Sequence, residues 1–348
     1  MVYGKRCQES KELWNQCVSV ASLALVDHVL TLFFRLRIPI GFWAYNNSDT
    51  PYLQGADAYL EQAIGWARSQ GMKVWVDCHG SPGSQNGQDH SGHKGAIEWQ
   101  QNDNLNKSTA VLVNMAQKYG AQEYADVVVG LEIVNEPSAN APNNFDVSKQ
   151  WAVDAYHAIK AVATNPDLVV VTHDSFRGPS NFIDIARSLG DSNGAGTFGV
   201  DVHEYQLYTD NENTFTQPQH ISEACGWAND LKSANAVMPL YVGEWSALTN
   251  VCVAKDGTTT SGSVCTTDQC QCVSNVNPKD YFPWTKEQVR RYIEAQLDVY
   301  EASTNGYFLW AWGGPGGWSF LDQINAGVIP NPVNERASRM YPGQCPGL

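Results

Sequence analysis

Short apolar runs and longer amphipathic stretches alternate along the chain from Phe34 onward. The runs cover residues 34–40, 73–78, 127–134, 168–172, 198–203, 240–243 and 307–312. Most are nearly continuous, the pattern of parallel strands buried on both faces. Helical periodicity fills the gaps at 57–70, 105–119, 147–163, 181–189, 219–234 and 286–303. In the first of these, Leu60, Ile64 and Ala67 share a face, and Gly71 follows as a C-cap. Thr285-Lys286-Glu287-Gln288 has capping-box spacing before the last. Seven strand–helix units predict an α/β fold, a (β/α)8 TIM barrel whose first strand is missing or atypical. Residues 18–25 are the one candidate for that strand. No repeat, linker or low-complexity tract divides the chain, so residues 1–348 are expected to form a single catalytic domain. Residues 1–33 then form an atypical or truncated N-terminal segment, and residues 250–283 a Cys-rich loop insert.

Polar residues recur at the ends of these runs. Arg37 lies near the end of the first, and Asp77 and His79 close the second. Asn135-Glu136-Pro137, His173-Asp174, His203 with Tyr205, Glu244-Trp245, and Trp310 with Trp312 follow in order. Any one of them reads as a satisfied polar group at a strand end. Together they would converge on the C-terminal mouth of a barrel, where its active sites lie. Counting the missing first strand, Glu136 and Glu244 follow strands four and seven, which face one another across a barrel. Glycoside hydrolysis needs one protonated and one ionised carboxyl group, about 5–5.5 Å apart when configuration is retained. Neighbours must split their pKa values. Arg37 is a cation able to keep Glu244 ionised, and Tyr205 a donor to it. Glu136, beside neutral Asn135, is left as the acid.

Charge narrows the possible partners. Twenty-two basic and 36 acidic residues give a net charge of −14, which repels nucleic acid and anionic membranes but not a neutral glycan. The 12 Trp and 15 Tyr offer aromatic faces for sugar rings, although large cores use them too. Nine cysteines are present. Cys252, Cys265, Cys270 and Cys272 crowd a polar stretch. Cys270-Gln-Cys272 is too tight for zinc spacing, so disulfides are expected there, and with them an oxidising compartment. An odd count leaves at least one cysteine free or paired outside the chain, and Cys78 reads as a packed thiol. Asn46-Asn47-Ser48 and Asn106-Lys107-Ser108 are possible glycosylation acceptors, consistent with secretion. The start of the chain carries Lys5, Arg6, Glu9 and Lys11 and does not resemble a signal peptide. Asp27 and His28 interrupt the apolar stretch at 18–34, so no membrane span is expected there. A truncated or misjoined start would reconcile this with an extracellular or cell-wall location. A monomer without metal or organic cofactor is expected.

Five motifs in order resemble glycoside hydrolase family five. They are Arg37-Ile38-Pro39-Ile40-Gly41, Gly80-Ser81-Pro82-Gly83-Ser84-Gln85-Asn86-Gly87, Asn135-Glu136-Pro137, His203-Glu204-Tyr205 and Gly243-Glu244-Trp245. Within it they look most like the fungal exo-β-1,3-glucanases, over residues 37–318. The resemblance implies Glu136 as acid/base, Glu244 as nucleophile and Asn135 as holder of the sugar 2-hydroxyl. It implies Arg37, His79, His203 and Tyr205 as a polar ring and Trp310 as the platform under the sugar. It implies release of glucose from non-reducing ends of β-glucans, or from β-glucosides, with retention. Gln88 and Tyr208 replace two phenylalanines that grip the leaving sugar in the family. The loop Gly313-Gly314-Pro315-Gly316-Gly317 replaces a Lys and a Glu that hold hydroxyls. These departures would also suit rutinosidase-type diglycosidases, which act on flavonoid glycosides. The family's opening Arg-Gly-x-Asn-Leu-Gly-Gly-Trp segment is absent, which adds a third expectation, a non-catalytic glucan-binding relative or an inactive truncated product.

Overall fold

A computed structural model describes residues 35–48, 50–190 and 193–348. The strand candidate at 18–25 lies outside the described residues. The chain divides into two compact units. The first runs to Val202 and includes Ala236–Pro239; the second holds His203–Asn235 and Leu240–Leu348.

The first unit is a run of parallel strands in chain order. These are β1 (Arg35–Gly41), β2 (Lys73–Gly80), β3 (Val128–Glu132), β4 (Val169–His173) and β5 (Phe198–Glu204), the last passing into the second unit. Helices α1 (Ala56–Ser69), α2 (Asn104–Tyr119), α3 (Phe145–Lys160) and α4 (Ile183–Ser188) lie between them. Every apolar run of this half is therefore a strand. In α1, Leu60, Ala63, Ile64 and Ala67 bury one stripe, and Gly71 follows at φ +67°, past the cap at Gln70. The α3 helix starts two residues before the expected position. Asn144 caps it there, accepting from the Asp146 and Val147 amides. The stretch expected as one helix at 181–189 is a 3-10 turn, Pro179–Phe182, followed by α4.

Register carries β2 and β3 toward the chemistry. Asp77 pairs with Glu132, and Glu132 with Val171. Residues directly opposite in a sheet point to the same face. The two acidic side chains therefore share a face.

Beyond β1, Trp43 stacks on Tyr52 with centroids 4.4 Å apart. Its indole lies over Gly41, Gly80 and Gly92. A Cβ on Gly80 would stand 2.8 Å from Trp43 Cζ3 and 2.7 Å from the Ser91 carbonyl. Glycine at the end of β2 thus lets the following loop close over the strand.

The second unit pairs β6 (Leu240–Trp245) in parallel with β10 (Gly306–Leu309). Its helices are α5 (Gln217–Gly226), α6 (Ala228–Asn235), α7 (Pro283–Ser303) and α8 (Phe320–Asn325). The stretch at 219–234 is thus two helices, broken at Trp227. The expected capping box moves. The capping box sits at Thr216 and Gln219, at the head of α5. At Thr285 there is none, because α7 already starts at Pro283, which suits the first helical position. Thr285 is buried in that first turn, its hydroxyl without a hydrogen-bond partner.

Residues 250–283 form a small antiparallel sheet of β7 (Val251–Val253), β8 (Thr259–Ser261) and β9 (Gln271–Cys272), in the order β8-β7-β9. Disulfides join the cross-strand pair Cys252–Cys272 and the turn pair Cys265–Cys270. A third, Cys225–Cys345, ties α5 to the C-terminal segment. Cys78 is free and buried, and burial pushes its thiol pKa up. Among the described residues no helix is long and apolar enough to cross a membrane.

Two glycine substitutions separate packing from propensity. Gly80→Ala forces Trp43 and the Ser91 backbone apart and should cost about 1–3 kcal/mol. Gly65→Ala, on the exposed face of α1 with nothing near its Cβ, should stabilise by about 0.8–1 kcal/mol. Urea unfolding measures both. Equal stability of Gly80→Ala and the parent would contradict the packing described.

Candidate active site

In the first unit the site is built around one guanidinium. Arg37 Nε donates to Glu132 Oε2 at 2.8 Å and Nη2 to Asn135 Oδ1 at 2.8 Å. Nη2 also lies 3.1 Å from Asp77 Oδ2. The side chains of Arg37, Asp77 and Glu132 are 2%, 0% and 0% exposed, so solvent does not screen the charges. Asp77 Oδ2 also meets His79 Nδ1 at 2.7 Å.

Two buried carboxyl groups on one cation cannot both ionise cheaply. Burial raises the pKa of each. For Asp77, Arg37 and His79 outweigh burial and hold it below the ordinary value. For Glu132, burial together with repulsion from Asp77 and Asp201 outweighs Arg37, and its pKa is pushed well up. Asp77 is therefore the anion and Glu132 the proton holder.

Asn135 spends its oxygen on Arg37. Its amide nitrogen is buried and has no hydrogen-bond partner among the described residues. Gln85 ties the strand ends together, donating to the carbonyls of His79 at 2.8 Å and Asn135 at 2.9 Å. The next residue, Glu136, has φ +46°, a left-handed backbone that costs a non-glycine residue about 1–2 kcal/mol. Asn86 Nδ2 donates to its carbonyl at 3.1 Å. The Glu136 carboxyl stays 17% exposed, with His90 Nε2 3.4 Å from Oε2.

The remaining candidates of this unit divide. Asp174 accepts from the Phe176 and Gly178 amides, and His173 Nδ1 accepts from the Ser175 amide, so the β4 end shapes its own loop. Gln88 is exposed, and its amide donates to Asn86 Oδ1.

In the second unit Glu244 stands near the end of β6 and is buried. Tyr205 Oη donates to its Oε2 at 2.7 Å, and His203 Nδ1 lies 3.6 Å from the same oxygen. Tyr205 is wedged edge-on between Tyr208 and Trp318, with both centroids 5.6 Å away. Tyr208 is otherwise 69% exposed. Trp310 follows β10 half-buried, its amide donating to the Trp245 carbonyl at 2.9 Å. At the end of the glycine-rich loop Gly317 is buried. Gly317 has no room for a Cβ beside Leu248, and its carbonyl accepts from Gln323.

The family model described as Cellulase (glycosyl hydrolase family 5) matches residues 32–314. The chain belongs to this family. As a family 5 glycosyl hydrolase it has the (β/α)8 barrel fold and hydrolyses O-glycosidic bonds. It is 36% identical over 327 residues to a glucan 1,3-beta-glucosidase of Candida oleophila, covering 89% of this chain and 73% of the relative. It is 35% identical to glucan 1,3-beta-glucosidase 1 of Schizosaccharomyces pombe, covering 88% and 73%. The solved rutinosidase of Aspergillus niger superposes with a TM-score of 0.63 at 19% identity, covering 89% of this chain and 82% of that one.

Four residues outside the expected set surround these groups: Glu132, Gln85, His90 and Trp318. Glu132 sits in the apolar run before Glu136, and only strand register reveals its partner. Gln85 lies within the motif Gly80–Gly87 and His90 just beyond it, in a Gly/Ser/Asn-rich stretch whose residues carry no sign of individual roles.

Glu132→Gln keeps the shape and acceptor of the protonated acid and should change stability by less than about 1 kcal/mol. Arg37→Leu strands the Asp77 anion and should cost about 3–5 kcal/mol. Urea unfolding at neutral pH compares them. Equal losses would mean that Glu132 carries a charge and would contradict the assignment.

Proposed function

We propose that the enzyme releases glucose from the non-reducing ends of β-1,3-glucans, retaining configuration. The observation that carries this reading is its similarity to glucan 1,3-beta-glucosidases over nearly nine-tenths of the chain. The likeness to the rutinosidase is one of fold and does not bear on substrate.

In the proposed reaction Glu244 is the nucleophile. The Tyr205 hydrogen bond supports this role, because a donor at 2.7 Å holds one oxygen and aims the other. Glu136 is the acid/base. In the first step the C1–oxygen bond breaks, the leaving oxygen takes the Glu136 proton, and Glu244 bonds C1. In the second, water gives Glu136 a proton and its oxygen displaces Glu244. The unpartnered Asn135 amide is a ready donor for the sugar 2-hydroxyl, a contact that strengthens in the transition state. His79 and His203 add polar contacts to the sugar, and Arg37 adds positive charge. Trp310 is the platform beneath the ring, and Gln88 and Tyr208 flank the leaving sugar. The three disulfides among the described residues suit an oxidising compartment, and secretion is part of the proposal.

Laminarin should be hydrolysed with glucose as first product, and NMR of fresh product should show the β anomer. Preference for rutin over laminarin would overturn the substrate, and a first-formed α anomer the mechanism. Glu244→Gln should lower kcat for aryl β-glucosides by at least about 10⁴-fold, measured on purified protein. Near-parental turnover would remove Glu244 from its role.

A further inference from the structure

As general acid, Glu136 must aim its proton. A carboxylic acid carries its proton on one oxygen, and the last torsion of a glutamate side chain is broad. Something must keep the protonated oxygen toward the leaving group. The backbone of Glu136 is fixed by its left-handed φ of +46° and by Asn86 on its carbonyl. Those contacts hold the main chain.

Within the first unit a histidine side chain comes near that carboxyl. His90 Nε2 lies 3.4 Å from Glu136 Oε2. The distance is longer than a tight hydrogen bond, as catalytic contacts often are before substrate binds. The His90 main chain is anchored from both sides. It lies in the turn Asp89–Ser91, where Ser91 Oγ bonds the Gln88 carbonyl at 2.7 Å and meets Ser84 Oγ at 2.6 Å. Tyr52 Oη donates to the Gly92 carbonyl at 2.7 Å on the other side. The imidazole packs at 5.3 Å, tilted by 58°, against the ring of His79, which Asp77 holds in turn. A surface histidine with no task would not need this backing.

We propose that His90 is a positioning residue for the general acid. It holds Oε2 of Glu136 so that the other oxygen presents its proton to the glycosidic oxygen. The inference rests on the assignment of Glu136 as acid/base, and its consequence falls only where proton donation matters. A leaving group that departs as a stable anion needs no proton. A poor leaving group does.

The test compares His90→Ala, Glu136→Gln and the parent on phenyl β-glucoside and 2,4-dinitrophenyl β-glucoside. His90→Ala should lower kcat/KM for the phenyl glucoside roughly 10-fold, a modest share of what general acid catalysis supplies. It should leave the dinitrophenyl glucoside within about 2-fold. His90→Gln, which keeps a donor on a similar stem, should recover part of the loss. Equal losses on both substrates would make His90 a merely structural residue and overturn the proposal, as would no loss on either. If Glu136→Gln discriminates strongly between the substrates and His90→Ala does not, the proposal alone fails. If Glu136→Gln does not discriminate, the assignment of the acid fails with it.

Discussion

The guanidinium of Arg37 is the interaction on which the arrangement around Glu136 depends. It is a cation against two buried carboxyl groups and an amide oxygen, with almost no solvent to screen them. Remove it and Asp77 becomes an uncompensated charge, Glu132 loses an electrostatic partner, and Asn135 has no reason to keep its oxygen turned inward. The residue that sets this geometry therefore also decides which end of the Asn135 amide is left unpartnered. Asp77 passes the constraint on to His79, and the His79 ring passes it to His90.

Backbone conformation does the remaining placement. Gln85 bonds the carbonyls of His79 and Asn135, so the ends of β2 and β3 move as one piece. Glu136 then turns through a left-handed conformation that a non-glycine residue adopts only under constraint. In the second unit Glu244 is presented by a parallel strand and accepts from the Tyr205 hydroxyl, whose ring is clamped by Tyr208 and Trp318.

Much of this could be read from the residues alone. The seven apolar runs are the seven parallel strands of the described residues, because burial on both faces leaves a nearly unbroken apolar signal. Tyr205 meets Glu244 as their motifs suggested. Helix starts were less legible. Asn144 and Pro283 moved two of them, and Thr285, despite its spacing, is packed inward rather than capping. Glu132 was hidden because a lone acid in an apolar run looks like an interruption until register sets it beside Asp77. The packing of Gly317 was hidden as well, because a glycine in sequence does not show that Leu248 fills the space a Cβ would need.

The central claim is that Glu244 forms the bond to the sugar while Glu136 handles the proton. Incubation with 2,4-dinitrophenyl 2-deoxy-2-fluoro-β-glucoside, followed by peptide mass mapping, tests it most directly. The fluorine slows release of the glycosyl-enzyme, and the reactive leaving group lets it form. A fluoroglucosyl label on Glu244 is the predicted result. A label on any other residue, or rapid turnover with no labelled peptide and inverted product, would contradict it.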